Sequence, residues 1–585
     1  MRRGILGYAL LSAFASELVV LDLALRGPRL ELLAGLASVA LWGGLALVAE
    51  RIAARVVLAV VSAWVVTVQL AFFRHYHTFL DLDAALAARH MWEDVAPVVR
   101  QHLPRVALLA TGVALLHFVC LSFCHHHDGR RSWALVLAGA FSTPTLSPTP
   151  DARAAQALTA LARPREARAA GRVHVPDLPS SARTLPHVLL VLTESVRARD
   201  YPSGPADRAR TAPETSALLS ERVALPRLYS LGSYTTIAVN ALLGGRAPLG
   251  DRRSIAETPL AFDYARAVRA GGARPRVHYW SAQTDSLFER ADVRDATDSF
   301  VTLDDLVGRK VDGVQEVLEL RADALLAARA ERELPGLDGP LFVVVHLSGT
   351  HAPYYVDPER APFVPYRRVA TWSGLGELHN AYLNSILAQD ASVARLLRAF
   401  LKRAGVEPWL VMLTSDHGEA FGEHKAIGHG QNVYDEQIHV PGFVAFGNGA
   451  LEPRQVAALG AHADDVVTHL DLLPTLLDAW GVWDGFALSA HKKRLEGQSL
   501  LRPFERARSP VPVTNCTPLF PCPLRNWGVL GGTHALVSQA WDDGFRCVEL
   551  ATLREDLAHD VPECARLRRA SLALWPVLPN GQPNR

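Results

Sequence analysis

Residues 411–441, VMLTSDHGEAFGEHKAIGHGQNVYDEQIHVP, decide how the rest of the chain reads. The apolar run Leu410–Leu413 has the character of a buried strand. Ser415, Asp416, His417, Gly418 and Glu419 follow at its C-terminal end. Open α/β sheets carry their ligand-binding groups at such strand ends. Asp beside His offers a hard oxygen and a borderline nitrogen to one divalent cation, and His424 and His429 bring further imidazoles close in sequence. The competing reading is a solvated polar turn. The concentration of acids and histidines between two apolar segments favours the metal.

A second strand of the same kind, His187–Leu192, ends at Thr193, Glu194 and Ser195, with Arg197 just beyond. A carboxylate at the end of one central strand can meet Asp416 at the end of another, however distant in sequence; the alternative role for Glu194 is an acidic helix cap. Between these strands lies YSLGSYTTIAVNALLGGRAP, residues 229–248. Its polar turn feeds an apolar helix that closes on Gly244–Gly245, so Ser233, Thr235 or Thr236 would stand at a helix N-terminus. Exposed amides there stabilise an anion, and the hydroxyl is either a nucleophile or an ordinary N-cap. Residues 312–331 and 378–404 read as helices and 340–347 as a strand, with His346 expected in the core. Alternation of this kind indicates a mostly parallel sheet sandwiched by helices.

At 585 residues and 49% hydrophobic content, the chain is longer and more apolar than one soluble domain. The excess lies before residue 147. Residues 5–25, 32–48, 56–73 and 106–124 can each cross a bilayer, and Trp133–Leu146 is a shorter fifth candidate interrupted by Pro144. Arg2, Arg3, Arg51, Arg55, Arg130 and Arg131 fall on one side of a five-helix bundle, which assigns that side to the cytoplasm and places everything after residue 147 outside. Glu17 and Asp22 in the first span face other helices or an interface. Residues 74–105 read as an interfacial amphipathic segment, where His75, His77 and His90 are surface histidines rather than ligands. The divisions expected are 1–146 for the transmembrane module, 147–185 for a linker helical near 151–169, 186–510 for the α/β domain and 511–585 for a small antiparallel appendage with Trp527, Trp541 and Phe545 in its core. Cys516, Cys522, Cys547 and Cys564 all fall in the last quarter, an even set that suits disulfides in an oxidising compartment. Lys and Arg (60) balance Asp and Glu (59), so charge makes no case for a nucleic-acid partner.

Taken together these stretches resemble the alkaline-phosphatase superfamily, in its sulfatase-like branch. HVLLVLTESVRARDY is similar to the family's first metal-binding strand end, SYTTIAVNALLGGRAP to its nucleophile helix, FVVVHLSGTHAPYY to its substrate-side histidine segment, and TSDHGEAFGEHKAIGHGQNVYDEQIHVP to its most specific signature. Membrane helices ahead of the domain resemble the phosphoethanolamine transferases and lipoteichoic acid synthases. The resemblance implies a membrane-anchored enzyme that moves a phosphoryl-linked headgroup from a lipid to a glycan or lipid acceptor outside a bacterial-type cytoplasmic membrane. It also implies a divalent cation, zinc first, with manganese, calcium or magnesium as alternatives. Carried over by position, Glu194, Thr235, Asp416 and His417 become metal ligands, Thr235 the nucleophile with Thr236 and Ser233 as alternates, and His351, His429 and Arg197 substrate contacts. A true sulfatase would need a Cys or Ser in a C/S-x-P-x-R motif, which Thr235–Val239 and its neighbours do not supply. Hydrolysis of a phosphate or sulfate ester, and a catalytically inactive binding protein, are the alternative readings.

Overall fold

The computed structural model describes residues 2–584 except 27–31, 77–78, 91, 124–132, 141–148, 160–171, 205–209, 248, 251, 284–291, 312, 505–509, 520–521, 523, 557–560 and 581–582. The chain divides into two compact units, residues 1–166 with 521–524, and the remainder.

In the first unit, α1 (Arg2–Arg26), α2 (Leu32–Val48), α3 (Ile52–Tyr76), α4 (Leu82–His90) and α5 (Trp92–Phe123) precede α6 (Pro150–Thr159). Among the described residues three helices, α1, α3 and α5, contain spans long and apolar enough to cross a membrane, and α2 is a shorter apolar helix. Residues 133–140 are also helical; 141–146 of the expected fifth span lie outside the described residues, as do 160–169 of the linker helix and His77. The side chains of His75 and His90 are likewise outside them. Within the expected interfacial segment, residues 82–90 are helical as α4. Residues 92–105 are the start of the single 32-residue helix α5. An apolar span can satisfy its backbone in hydrocarbon only as helix, which outweighs the local cost of Pro97 and Pro104. The acids of α1 turn inward. Glu17 meets His117 of α5 at 2.7 Å, His117 reaches Ser62 of α3 at 2.7 Å on its other nitrogen, and Asp22 is fully buried. Charged groups in an apolar bundle persist when paired in this way.

The second unit is built on a seven-stranded sheet. Its strands are β1 (His187–Thr193), β2 (Arg222–Ala224), β3 (Arg276–Ser281), β4 (Ser299–Val301), β5 (Leu341–His346), β6 (Trp409–Ser415) and β7 (Gly442–Gly447), in the spatial order β2-β7-β6-β1-β5-β3-β4. The five strands from β6 to β4 run parallel, and β7 is antiparallel to both its neighbours. Uninterrupted apolar sequence makes β1 a strand buried on both faces. Val188, Leu190 and Leu192 pack into one layer with Leu473, Leu476 and Trp480, while Leu189 and Val191 pack into the other with Leu396 and Phe400. Helix α7 (Thr235–Gly244), α8 (Ala322–Glu333), the 30-residue α9 (Leu375–Ala404) and α10 (Leu472–Ala479) supply these layers. The expected fold class is thus observed.

The chain ends in a five-stranded antiparallel sheet, β8 (Val511–Thr514), β9 (Asn526–Leu530), β10 (His534–Gln539), β11 (Arg546–Glu549) and β12 (Glu555–Asp556), with α11 (Pro562–Leu574) against it. Phe545 is in its core, Trp527 stacks on Trp575 at 5.4 Å, and Trp541 is half-buried. Cys547 of β11 is joined to Cys564 of α11 by a disulfide, and Cys516 and Cys522 are disulfide-bonded as well.

Candidate metal centre at the strand ends

Parallel pairing sets Thr193 of β1 opposite Ser415 of β6, so the next residue of each strand, Glu194 and Asp416, emerges on the same rim of the sheet. Asp416 N donates to Thr193 O at 3.1 Å and Ser195 N donates to Asp416 Oδ1 at 2.9 Å, locking the two turns together. Ser195 takes a left-handed backbone with φ 57°, a conformation that costs a non-glycine residue energy and is held here by these bonds. Gly418 is required by space: a Cβ there would come within 2.4 Å of Glu436 O.

Glu194, Asp416 and His417 are fully buried, with candidate ligand atoms within 4.8 Å of one another. His417 Nδ1 donates to Gly418 O at 2.9 Å, which fixes the tautomer and leaves the Nε2 lone pair facing the carboxylates. Nε2 lies 3.4 Å from Glu194 Oε1 and 3.3 Å from Asp416 Oδ2. Asp416 Oδ1 is held by the amides of Ser195 and His417, whereas Oδ2 is buried with no hydrogen-bond partner. Burial and the Glu194 charge push the Asp416 carboxyl up. Burial also acts to raise Glu194, but His346, 3.4 Å away, with His417 and His351 outweighs it and holds this carboxylate well below the ordinary range. Two buried carboxylates, an orphaned oxygen and a directed imidazole lone pair fit a divalent cation, which would relieve their mutual repulsion.

Of the three candidate hydroxyls, the structure brings Thr235 to this cluster. It is the first residue of α7, and its Oγ1 lies 3.3 Å from both Glu194 Oε1 and His417 Nε2. Ser233 is engaged elsewhere. Its Oγ lies in bonding distance of Asn432 O at 2.8 Å, Gln437 Oε1 at 3.0 Å and the donors Asn515 Nδ2 and Gly430 N at 2.9 and 3.1 Å. Thr236, one residue into the helix, shares no such bond with Glu194 or His417 among the described residues.

Imidazoles line one side. His429 lies with ring centroid 4.4 Å from His417 and 5.1 Å from His351. Burial acts to lower its pKa, but Glu419, 3.3 Å away, together with Glu194 and Asp416, pushes it up to about 9. His351 donates through Nδ1 to Ala352 O at 2.7 Å, leaving Nε2 available.

Two neighbours were not expected at the site. Gln283 donates to Glu194 Oε2 at 2.6 Å, and His346, expected as core, is buried with Nε2 3.4 Å from the same oxygen. Both stand at or just beyond C-terminal strand ends, the same signal that exposed Glu194.

Arg197 and His424 require correction. Arg197 is only 4% exposed and its guanidinium is engaged by Asp200, Glu423 at 2.9 Å and His379 at 2.8 Å, over the Phe421 ring. A charge beside a ligand on the chain is here engaged as a structural tie, with Nη1 also 3.4 Å from Glu419 O. His424 bridges Glu436 at 2.9 Å and Glu555 of β12 at 2.7 Å, so it fastens the C-terminal sheet rather than joining His429.

A family model described as Sulfatase matches residues 186–482, half of the chain. The chain is 29% identical over 153 residues to the phosphatidylethanolamine transferase Mcr-2 of Escherichia coli, covering 25% of this chain and 27% of the relative. It is 36% identical over 88 residues to the uncharacterized sulfatase YidJ of Escherichia coli strain K12, covering 15% and 16%. The matched stretches thus span about a quarter or less of those relatives' length. Among solved structures, the integral membrane protein lipooligosaccharide phosphoethanolamine transferase A (EptA) of Neisseria meningitidis superposes with a TM-score of 0.53 at 15% identity, covering 84% of this chain and 97% of that one, a likeness of fold.

Proposed function

The chain belongs to the sulfatase family of the alkaline-phosphatase superfamily, and from that premise we propose that it is a membrane-anchored, metal-dependent transferase of phosphoryl-linked lipid headgroups with Thr235 as nucleophile. The observation that carries the reading is the Thr235 hydroxyl at a helix N-terminus, 3.3 Å from both Glu194 and His417. Glu194, Asp416 and His417 would hold the cation, zinc by the mixed oxygen and nitrogen set, with Thr235 as the fourth ligand. When bound, the cation lowers the hydroxyl's pKa and offsets phosphate charge. Thr235 Oγ1 attacks phosphorus, the bond to the lipid oxygen breaks, and an acceptor hydroxyl then takes the headgroup from Thr235. His429, held as imidazolium by Glu419, and His351 through Nε2 orient the phosphoryl oxygens. Apolar helices ahead of the domain confine the search to the plane of the lipid donor, and the disulfides of the C-terminal sheet agree with an extracytoplasmic domain.

The test is mass spectrometry of lipids and purified protein after incubation of the full chain with phosphatidylethanolamine and phosphatidylglycerol vesicles. Wild type should yield diacylglycerol and a Thr235-linked headgroup mass, and Thr235→Ala neither. Turnover by Thr235→Ala equal to wild type would sink the proposal, and free headgroup phosphate with no acceptor product would favour the hydrolase.

A further inference from the structure

Each side chain of the metal cluster turns one atom toward its neighbours and has the other engaged. Asp416 Oδ1 is taken by the amides of Ser195 and His417 at 2.9 and 2.7 Å, which leaves Oδ2. His417 Nδ1 is taken by Gly418 O at 2.9 Å, which leaves Nε2. In Glu194 the division is made by residues from two other strand ends. Oε1 accepts from Ser195 Oγ at 3.0 Å and faces His417 Nε2 at 3.4 Å and Thr235 Oγ1 at 3.3 Å. Gln283 donates to Oε2 at 2.6 Å, and the buried His346 closes on that same oxygen with Nε2 3.4 Å away. The Gln283 backbone is itself pinned: its N donates to Ser281 Oγ at 3.0 Å and its carbonyl accepts from Leu303 N at 3.0 Å.

We propose that Gln283 is a positioning residue that sets which cation the centre prefers; the inference rests on the reading above, in which Glu194, Asp416 and His417 are the ligands. By spending Oε2 on an amide N–H, Gln283 confines Glu194 to binding through Oε1 alone, an oxygen whose second lone pair remains open beside the Ser195 hydroxyl. Asp416 is confined in the same way by its two backbone amides. Glu194, Asp416, His417 and Thr235 then supply one atom each. That count suits zinc, which binds four mixed nitrogen and oxygen ligands. Calcium takes about six to eight oxygens and draws on both oxygens of a carboxylate, so it gains most from an open Oε2. The two carboxylates differ in how the constraint is built. Backbone amides hold Asp416, and no side-chain substitution removes them; one side-chain amide holds Glu194 Oε2, so the preference of the centre turns on residue 283. A donor that only satisfied a buried carboxylate would contribute to stability and leave coordination number and selectivity untouched, which separates the two roles.

Cobalt titration of the detergent-solubilised full chain, stripped with a chelator, reads coordination directly and needs no turnover. Wild type should show the intense visible bands of four-coordinate Co2+, abolished in His417→Ala. In Gln283→Leu the bands at saturating cobalt should weaken to those of a higher coordination number. The calcium concentration that displaces cobalt, relative to the zinc concentration that does so, should fall by at least about tenfold, the low end of what an outer-shell partner governs. Gln283→Asn, whose amide is one methylene short, should shift the same way, and it keeps a polar group at the position if the leucine variant does not melt cooperatively. An unchanged spectrum or an unchanged zinc-to-calcium ratio in a folded variant would overturn the role, as would loss of a second equivalent of cobalt, which would make Gln283 a ligand. Wild type without His417-dependent cobalt bands would instead overturn the ligand assignment on which the inference rests.

Discussion

Replacing Asp416 with Asn should make the metal-free protein more heat-stable and its response to metal weaker. The exchange keeps shape, and Oδ1 retains the amide donors of Ser195 and His417 at 2.9 and 2.7 Å. What changes is the buried orphan Oδ2, 3.3 Å from His417 Nε2 and part of a carboxylate pair within 4.8 Å. Two unit charges at that separation repel by about 3.5 kcal/mol at an effective dielectric of ~20. Burial and the Glu194 charge already push the Asp416 carboxyl up in the wild type, which offsets some of this. A net gain of about 1–3 kcal/mol remains, worth roughly 1–3 °C in melting temperature for a unit of this size. With metal present the sign reverses. Loss of an anionic ligand weakens affinity at least as much as the roughly 100-fold that an outer-shell partner can cost, removing about 2.7 kcal/mol of ligand stabilisation at fixed zinc. Thermal unfolding of the solubilised chain, with EDTA and across a zinc titration, reads both terms. A metal-free variant that melts below metal-free wild type, or a zinc-induced rise equal to that of wild type, would refute the carboxylate-pair account.

Ser233→Ala should cost about 1–3 kcal/mol of stability by removing the acceptor of Gly430 N and two further bonds of a buried network, while the headgroup mass on Thr235 persists; loss of the adduct at full stability would return Ser233 to candidacy. Arg197→Met should destabilise by about 3–5 kcal/mol because Asp200 and Glu423 lose their buried partner, with zinc content per folded molecule unchanged. For His424, burial acts to lower the pKa, but Glu436 and Glu555 outweigh it and raise it above the ordinary value. Its stabilisation is therefore complete below about pH 6.5 and fades as pH rises through the folded value. The melting difference between wild type and His424→Gln should be largest at pH 6 and shrink by pH 9, and a difference growing with pH would contradict the clamp.

The strands that carry the site were legible because β1 and β6 are uninterrupted apolar runs, and a run buried on both faces admits few other structures. Glu194, Asp416 and His417 were legible as polar residues at the C-terminal ends of those runs. Gln283 and His346 were not, since a histidine ending an apolar strand has the composition of a core residue; only the neighbouring register, Leu192 opposite His346, places it beside Glu194. The choice among Ser233, Thr235 and Thr236 was invisible for a different reason. Hydroxyls in one turn differ by direction, and direction is set by Asn432, Gln437 and Asn515, remote partners in sequence. Arg197 misled because one of its acids, Glu423, meets it only after the 419–428 turn has folded back, although Asp200 stands three residues away.

The pairing of Thr193 with Ser415 has a consequence for how the protein is made. During synthesis β1 leaves the ribosome long before β6, so a nascent chain possesses Glu194 without either ligand that completes the cluster. The ion cannot serve as a folding nucleus, as it does in small zinc modules where binding and folding are one event. A cation held by Glu194, Asp416 and His417 would be loaded onto finished architecture. Cells starved of the metal should therefore accumulate a folded, dormant pool of this protein that awakens on resupply without new translation.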